Sequence, residues 1–379
     1  MGCAEVLAYL KPAHENFYGV TTIETSPAFE LLLCCARTPL SSETEERARV
    51  LLAGAMPWDS LVKLAEFHHL LPLLYRSLVQ VDAQAMPQEL FAFVQHRVRS
   101  YAIKNRFLTG ELCRVLDLLA GHGVPALPLK GPALALAAYG DISLRQYGDL
   151  DLLIPPHTLD QVAEVLCREG YEAEPAFVKR RGLSRALFLH LGAQSSFMRG
   201  RNLFNLDVHT RIMPPLYPYA PLFDSLQKEA VALSLGPCSM PGLAPETMLQ
   251  VLCYHGEKNR WETLKYVCDV AALIDAHPRL NWDAVVQVAR EAKGLRTLLL
   301  GLYLAQALLG VPLPAGVVDL LEPERTLKTL GDELVSRLPG QISAGTLGYL
   351  ARTRLHLALR DTWRSRLRYV GYATLRRFA

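Results

Sequence analysis

The chain has 379 residues, of which 50% are hydrophobic and 20% are charged, and its formal net charge is +3. This length allows two or three domains with a well-buried core. The small net charge gives no strong overall field, so composition alone does not indicate a protein that binds nucleic acid or a membrane surface. No apolar run approaches the roughly 18–20 residues of a membrane-spanning helix, and the start lacks a signal-peptide pattern. We therefore expect a cytoplasmic globular protein with no membrane partner.

The cysteines give no sign of a metal-binding or disulfide framework. There are eight of them, none in a C-x-x-C pair, and Cys34 and Cys35 are adjacent. Such spacing argues against a zinc ribbon and against a set of structural disulfides. We expect buried thiols in a reducing cytoplasm.

Helix signals dominate the first third of the chain. Ser26 and Pro27 provide an N-cap and a first-turn proline ahead of an apolar run. Apolar residues at helical spacing then predict helices over 41–54, 57–78 and 87–121.

A strand, a glycine turn and a helix start follow one another after these helices. Residues 124–129 predict the strand, Lys130 and Gly131 the turn, and Pro132 the first position of the helix. Backbone N–H groups at a helix N-terminus attract anions, and Lys130 adds a positive point charge. The segment therefore predicts a phosphate-binding site.

Two acids open the next predicted strand. Because side chains alternate along a strand, Asp149 and Asp151 share one face, with Cα atoms roughly 6.5 Å apart. Carboxylate oxygens in this arrangement suit a pair of Mg²⁺ or Mn²⁺ ions, although solvated carboxylates at a sheet edge are the alternative. Arg145, four residues before Asp149, offers a planar fork for phosphate oxygens, or is a surface arginine.

These residues together resemble a known family, the uncharacterised nucleotidyltransferases of the DNA polymerase β-like superfamily. That family has a leucine-lysine-glycine turn, an arginine and a Gly-Asp-x-Asp strand. The resemblance runs from about residue 58 to 314, and it implies an α+β fold with a small mixed sheet and flanking helices. The matching segments here are Leu129-Lys130-Gly131, Arg145 and Gly148-Asp149-Leu150-Asp151. One departure is that the Gly-Ser or Gly-Gly turn of the wider superfamily is Lys130-Gly131.

The resemblance also implies a third carboxylate from a later strand. Residues 194–198 and 203–212 predict a hairpin, along which Asp207 and His209 alternate with apolar residues. Asp207 matches the third carboxylate. His209 could order the metal site or contact the acceptor; the alternative is a histidine that is only hydrogen-bonded at a strand end.

The activity that the resemblance implies is transfer of a nucleoside monophosphate from a nucleoside triphosphate to an unidentified acceptor, with release of pyrophosphate. The acceptor would be a protein, a peptide or a small molecule. Asp149, Asp151 and Asp207 would hold Mg²⁺ or Mn²⁺ and carry catalysis. The predicted nucleotide-binding residues are Lys130, Gly131, Arg145, Gly148, Lys265 and Asp269.

The chain from residue 245 onward is predicted to be almost entirely helical. The helix predicted over 261–274 is a candidate second wall of the site. Trp261 or Tyr266 would stack on the base and Lys265 would reach the triphosphate. Alternatively, Trp261 lies in the core, and Lys265 and Asp269, four apart, form a surface ion pair.

We divide the chain into an N-terminal helical region (1–85), a nucleotidyltransferase catalytic domain (86–240) and a C-terminal helical domain (241–379). The segment after residue 350 contains eight arginines and a single acidic residue, Asp361. Interleaved apolar residues favour a packed helix there over a nucleic-acid-binding tail.

The sequence is compatible with two other functions. One is a catalytically silent nucleotide-binding or assembly protein with the same fold, against which the intact acidic triad argues. The other is a nucleotidyltransferase acting on RNA ends. The basic C-terminus favours it mildly, but the chain has no other basic stripe interleaved with aromatic residues, so nucleic acid is not the favoured partner.

Overall fold

The computed structural model describes residues 26–175, 177, 182, 194–200, 204–213, 221–236, 238–340 and 349–375. The first 25 residues of the predicted N-terminal region and the tip of the predicted hairpin, 201–203, lie outside this part of the chain. So do the arginines at 376 and 377.

Four helices open the described chain, and a long fifth helix follows. The predicted helix over 57–78 is instead two helices, because His69 adopts a φ of +60° and the His68 ring is hydrogen-bonded elsewhere. His68 Nε2 lies 3.2 Å from the Leu338 carbonyl oxygen, and Nδ1 accepts the Leu264 N–H at 3.1 Å. The bounds are α1 (Pro27–Cys35), α2 (Ser42–Leu52), α3 (Trp58–Phe67), α4 (Leu71–Val81) and α5 (Gln88–Gly121).

A small mixed sheet follows α5, in the order β1-β2-β5-β4-β3 within the described residues. β2 and β5 run parallel, and the other neighbours are antiparallel. The strand predicted over 124–129 is shortened to β1, since Pro125 and Pro128 have no N–H to donate. The strands are β1 (Leu127–Pro128), β2 (Leu150–Leu153), β3 (Glu172–Ala173), β4 (Ser195–Arg199) and β5 (Phe204–His209); α6 (Pro132–Tyr139) and α7 (Leu159–Arg168) lie between them.

A second hairpin, β6 (Val231–Leu235) with β7 (Cys238–Gly242), follows the short helix α8 (Phe223–Lys228). It brings Cys238 to Cys113 on α5, and the two form a disulfide across 125 residues of sequence. The expectation that all cysteines are thiols is wrong for this pair. Sequence spacing gave no sign of it, because the hairpin that packs β7 against α5 was not predicted.

The rest of the described chain is helical. No described helix is long and apolar enough to cross a bilayer. The helices are α9 (Pro245–Lys258), α10 (Leu264–Ala276), α11 (Trp282–Glu291), α12 (Leu295–Leu309), α13 (Ala315–Leu321), α14 (Arg325–Arg337), α15 (Tyr349–Ala358) and α16 (Trp363–Leu375).

The arginine-rich end packs on these helices through part of its length. Leu355, Leu359 and Arg360 are buried, and the Arg360 guanidinium contacts the buried Glu257 carboxylate. The predicted packing is confirmed for these residues, whereas Trp363 and Leu367 are exposed.

Two hydrophobic cores lie on opposite faces of the sheet. Leu150 and Leu152 point into one, the sheet core, together with α5 and α7. Leu153 points into the other, the helical core, which α1–α4 share with α9–α14. Since strand side chains alternate, Asp151 lies on the helical-core face of β2. The α+β class with a small mixed sheet is confirmed, and the three domain boundaries stay a prediction.

Candidate active site

Asp151 and Asp207 lie side by side on the parallel strands β2 and β5, where they are register partners. Both are buried. With His209, two residues further along β5, they form a group whose potential ligand atoms all lie within 4.8 Å of one another. Two carboxylates and an imidazole at this spacing are a donor set that fits a divalent cation.

Asp151 is held by a group on each side. Lys130 Nζ lies 3.1 Å from Oδ2, and His209 Nε2 lies 2.9 Å from Oδ1. Burial alone would raise the pKa of this carboxyl, but the Lys130 charge and the His209 hydrogen bond outweigh burial and hold the pKa well below its usual range. Asp151 is therefore a carboxylate at neutral pH.

Asp207 has a different environment. Ser196 Oγ donates to Oδ1 at 2.6 Å, and Gln194 Nε2 donates to Oδ2 at 2.9 Å. Burial raises the pKa of Asp207, the Ser196 hydrogen bond opposes that rise, and the negative charges of Asp151 and Asp149 add to it. The two neighbouring carboxyls thus have pKa values shifted in opposite directions.

Asp149 lies just before β2 and is half-buried. It is not a member of the group that unites Asp151, Asp207 and His209 among the described residues. Its charge nevertheless acts to raise the pKa of both Asp207 and Lys265, and as the half-buried residue directly before β2 it lies at the rim of the site. Gly148 before it is exposed.

The Lys130–Gly131 turn takes the predicted form. Gly131 adopts a φ of +59° immediately before α6, a conformation that favours glycine. A Cβ there would lie 3.5 Å from the Asp149 carbonyl oxygen, so the turn passes close to the start of β2. The backbone N–H groups in the first turn of α6 have no acceptor within the helix. Lys130 lies two residues before the start of this helix.

The family model of an uncharacterised nucleotidyltransferase matches residues 54–310, more than half of the chain. The chain belongs to this family. This confirms the resemblance inferred from the lysine-glycine turn and the Gly-Asp-x-Asp strand. No curated protein matches the sequence. The nucleotidyltransferase match places Lys130, Asp149, Asp151, Asp207, His209, Lys265 and Asp269 inside the matched region.

Arg145 and Asp269, both predicted to bind nucleotide, are paired with each other. Arg145 Nε and Nη2 donate to the two carboxylate oxygens of Asp269 at 2.7 and 2.9 Å. The side chains are 4% and 0% exposed. Tyr139 also donates to Asp269, at 3.0 Å. The alternative of a surface Lys265–Asp269 ion pair is wrong, and a contact of Arg145 or Asp269 with the nucleotide stays a prediction.

The predicted second wall is α10, which packs against α6. Trp261 precedes it, in a left-handed turn with a φ of +53°, and is 1% exposed, with its ring against Gly256 and Gly301. Trp261 is therefore a core residue, as one of the two alternatives held. Lys265 and Tyr266 are only partly buried. Burial, then the Arg145 charge, lowers the pKa of Lys265 to about 7.

Three residues of this site were not predicted: Ser196, Gln194 and His255. Ser196 lies opposite Asp207 in the register between β4 and β5, so the predicted hairpin could have indicated it. Gln194 donates to Asp207 from just before β4. His255 on α9 contacts Lys130 across 125 residues, and no local pattern indicates such a contact.

Proposed function

We propose that this protein is a metal-dependent nucleotidyltransferase of the polymerase β-like type, which transfers a nucleoside monophosphate from a nucleoside triphosphate to an acceptor and releases pyrophosphate. The observation that carries the proposal is the pairing of Asp151 with Asp207 on adjacent parallel strands, in a chain that belongs to a nucleotidyltransferase family.

The proposed metal ligands are Asp151 and Asp207, with Asp149 at the rim and Mg²⁺ or Mn²⁺ as the ion. When bound, the cation would screen the triphosphate charge and lower the pKa of the attacking group. The donor set supports this role, since Asp151 stays ionised while Lys130 balances its charge. His209 holds Asp151 Oδ1 and so fixes the rotation of that carboxylate.

Asp207 is the proposed proton acceptor for the attacking group. Its raised pKa makes it a stronger base than an ordinary aspartate. Ser196 and Gln194 each donate to one of its oxygens, which keeps the carboxylate oriented toward Asp151.

The proposed triphosphate site is formed by Lys130, the amides at the start of α6 and Lys265. Lys130 and the amides would balance the charge that develops on the leaving pyrophosphate. Lys265, on α10, is proposed to contribute to the same site. Beyond the effect of burial, the charges of Arg145 and Lys130 both lower its pKa, as expected if the three cations lie around one site. Tyr266, partly buried on α10, is the proposed surface for the base.

The proposal is tested by incubating the protein with each of the four ribonucleoside triphosphates and Mg²⁺ or Mn²⁺. Pyrophosphate and the intact mass of the protein are then measured. Pyrophosphate release that Asp207→Asn abolishes supports transfer, and a mass increase of one nucleotide would identify the protein itself as an acceptor. Metal-dependent binding without pyrophosphate, in the presence of candidate protein, peptide, small-molecule and RNA acceptors, would contradict transfer.

A further inference from the structure

His255, on α9, makes a contact that the proposed function does not use. Its Nε2 lies 3.2 Å from Lys130 Nζ, while the same ammonium lies 3.1 Å from Asp151 Oδ2. An ammonium has three donors and no acceptor, so Lys130 donates and His255 Nε2 accepts. The histidine is then neutral, with its proton on Nδ1.

The surroundings of the ring favour this neutral form. Burial lowers the pKa of His255 far below its usual range, and the Lys130 charge lowers it further. The charges of Lys258 and Lys265 act in the same direction, and that of Asp151 opposes them. The ring meets Tyr266 edge-on, with centroids 5.2 Å apart.

Packing alone does not account for a histidine at this position. Within the described residues, the buried Nδ1 has no hydrogen-bond partner, and a buried donor without an acceptor destabilises the fold. An apolar side chain would fill the space beside Tyr266 without that cost. The interaction that uses the imidazole is the one with Lys130.

We propose that His255 is a positioning residue for Lys130, holding the lysine beside Asp151 so that its ammonium can turn from that carboxylate to the triphosphate. This inference rests on the proposed function. A neutral acceptor orients the ammonium without neutralising it, whereas a carboxylate in the same place would weaken its attraction for phosphate. Lys130 has two further N–H groups for Asp151 or for phosphate oxygens.

The contact also joins two parts of the molecule. Lys130 lies in the turn before α6, at the sheet, whereas His255 lies on α9, whose neighbouring residues Cys253 and Tyr254 are in the helical core. Helix α9 therefore supplies a residue to the site, and its position contributes to where the Lys130 ammonium lies.

Three variants separate positioning from packing. His255→Phe keeps a ring against Tyr266 but has no acceptor, and His255→Leu is a second apolar variant should the first fail to fold. His255→Gln keeps a neutral acceptor. Asn259→Ala is the matched control, because Asn259 Nδ2 donates only to the His255 backbone oxygen among the described contacts.

The first readout is affinity for ATP and for AMP with Mn²⁺, measured by calorimetry. We expect His255→Phe to weaken ATP binding about tenfold with AMP binding within twofold, His255→Gln to recover most of the loss, and Asn259→Ala to match the wild type. A loss common to ATP and AMP, or unchanged ATP affinity in His255→Phe, would overturn the inference. If the wild-type protein binds no triphosphate, the proposed function itself fails, and this inference with it.

The second readout needs no nucleotide. The rate at which N-acetoxysuccinimide acetylates Lys130 is followed by peptide mass spectrometry. Losing the acceptor leaves the Lys130 side chain more mobile and easier for the reagent to reach, so acetylation should be faster in His255→Phe than in the wild type and near the wild-type rate in His255→Gln. Equal rates in all three proteins would show that His255 does not hold Lys130.

Discussion

Arg145 and Asp269 form a buried, bidentate ion pair that joins the loop before β2 to α10. The loop itself is fixed by Asn105, whose Nδ2 donates to the carbonyl oxygens of Ile142 and Arg145 at 2.6 and 2.9 Å. The pair thus helps to fix the position of α10, the proposed second wall, relative to β2, the strand that carries Asp151.

Removing one partner of this pair should destabilise the fold. Asp269→Ala leaves the Arg145 guanidinium buried without its counter-charge, so we expect the free energy of unfolding to fall by about 3–5 kcal/mol. The matched control is Glu333→Ala, which breaks an exposed pair with Arg354 and should cost less than about 1 kcal/mol. Urea denaturation measures both. Similar small losses in the two variants would contradict a structural role for the pair.

Lys265 should make triphosphate binding depend on pH. Its pKa of about 7 leaves much of the side chain neutral above pH 7, whereas a bound triphosphate stabilises the ammonium and raises the pKa. Binding at pH 8 should therefore take up protons, and affinity should fall as pH rises from 7 to 9. Calorimetry in two buffers of different ionisation enthalpy measures the uptake.

Lys265→Met should remove most of that proton uptake and weaken triphosphate binding, while leaving nucleoside binding unchanged. Lys328→Met, on α14, is the control for loss of a lysine elsewhere. The same proton uptake in Lys265→Met as in the wild type would exclude Lys265 from the triphosphate site.

Asp207→Asn should separate binding from transfer. The amide keeps one oxygen and most of the shape, so we expect metal–nucleotide affinity within a few-fold of the wild type. Without a carboxylate to accept a proton and support the attacking group, pyrophosphate release should fall by at least about 100-fold. Single-turnover pyrophosphate assays at saturating nucleotide measure this. If Asp207→Asn turned over at the wild-type rate, Asp207 would not be the third catalytic acid.

Local sequence patterns predicted the parts of the site that depend on neighbouring residues. The turn at Lys130 and Gly131 and the strand after Asp149 follow from glycine, proline and apolar alternation. Asp207 came from alternation together with the family resemblance. Its register with Asp151 was not predicted, since parallel pairing depends on how the whole sheet assembles.

The contacts that complete the site join residues far apart in the chain, and local patterns could not predict them. Arg145 meets Asp269 across 124 residues, and Lys130 meets His255 across 125. β7 was missed because Pro241 and Gly242 belong to residue types that usually interrupt strands. The break at His69 was missed although Pro72, in the first turn of α4, is a signal for a helix start there.

Asp151 and Asp207, side by side on the inner strands β2 and β5, are proposed to bind a divalent cation together with a nucleoside triphosphate. Titration calorimetry measures the binding of Mn²⁺, of ATP and of both together to three proteins: the wild type, Asp151→Asn and Glu172→Gln. Glu172→Gln is the control, because Glu172 is an exposed acid of β3. We expect weak Mn²⁺ binding alone and tighter joint binding in the wild type and in Glu172→Gln, with joint binding lost in Asp151→Asn. Undiminished joint binding in a folded Asp151→Asn protein would show that Asp151 does not hold the cation.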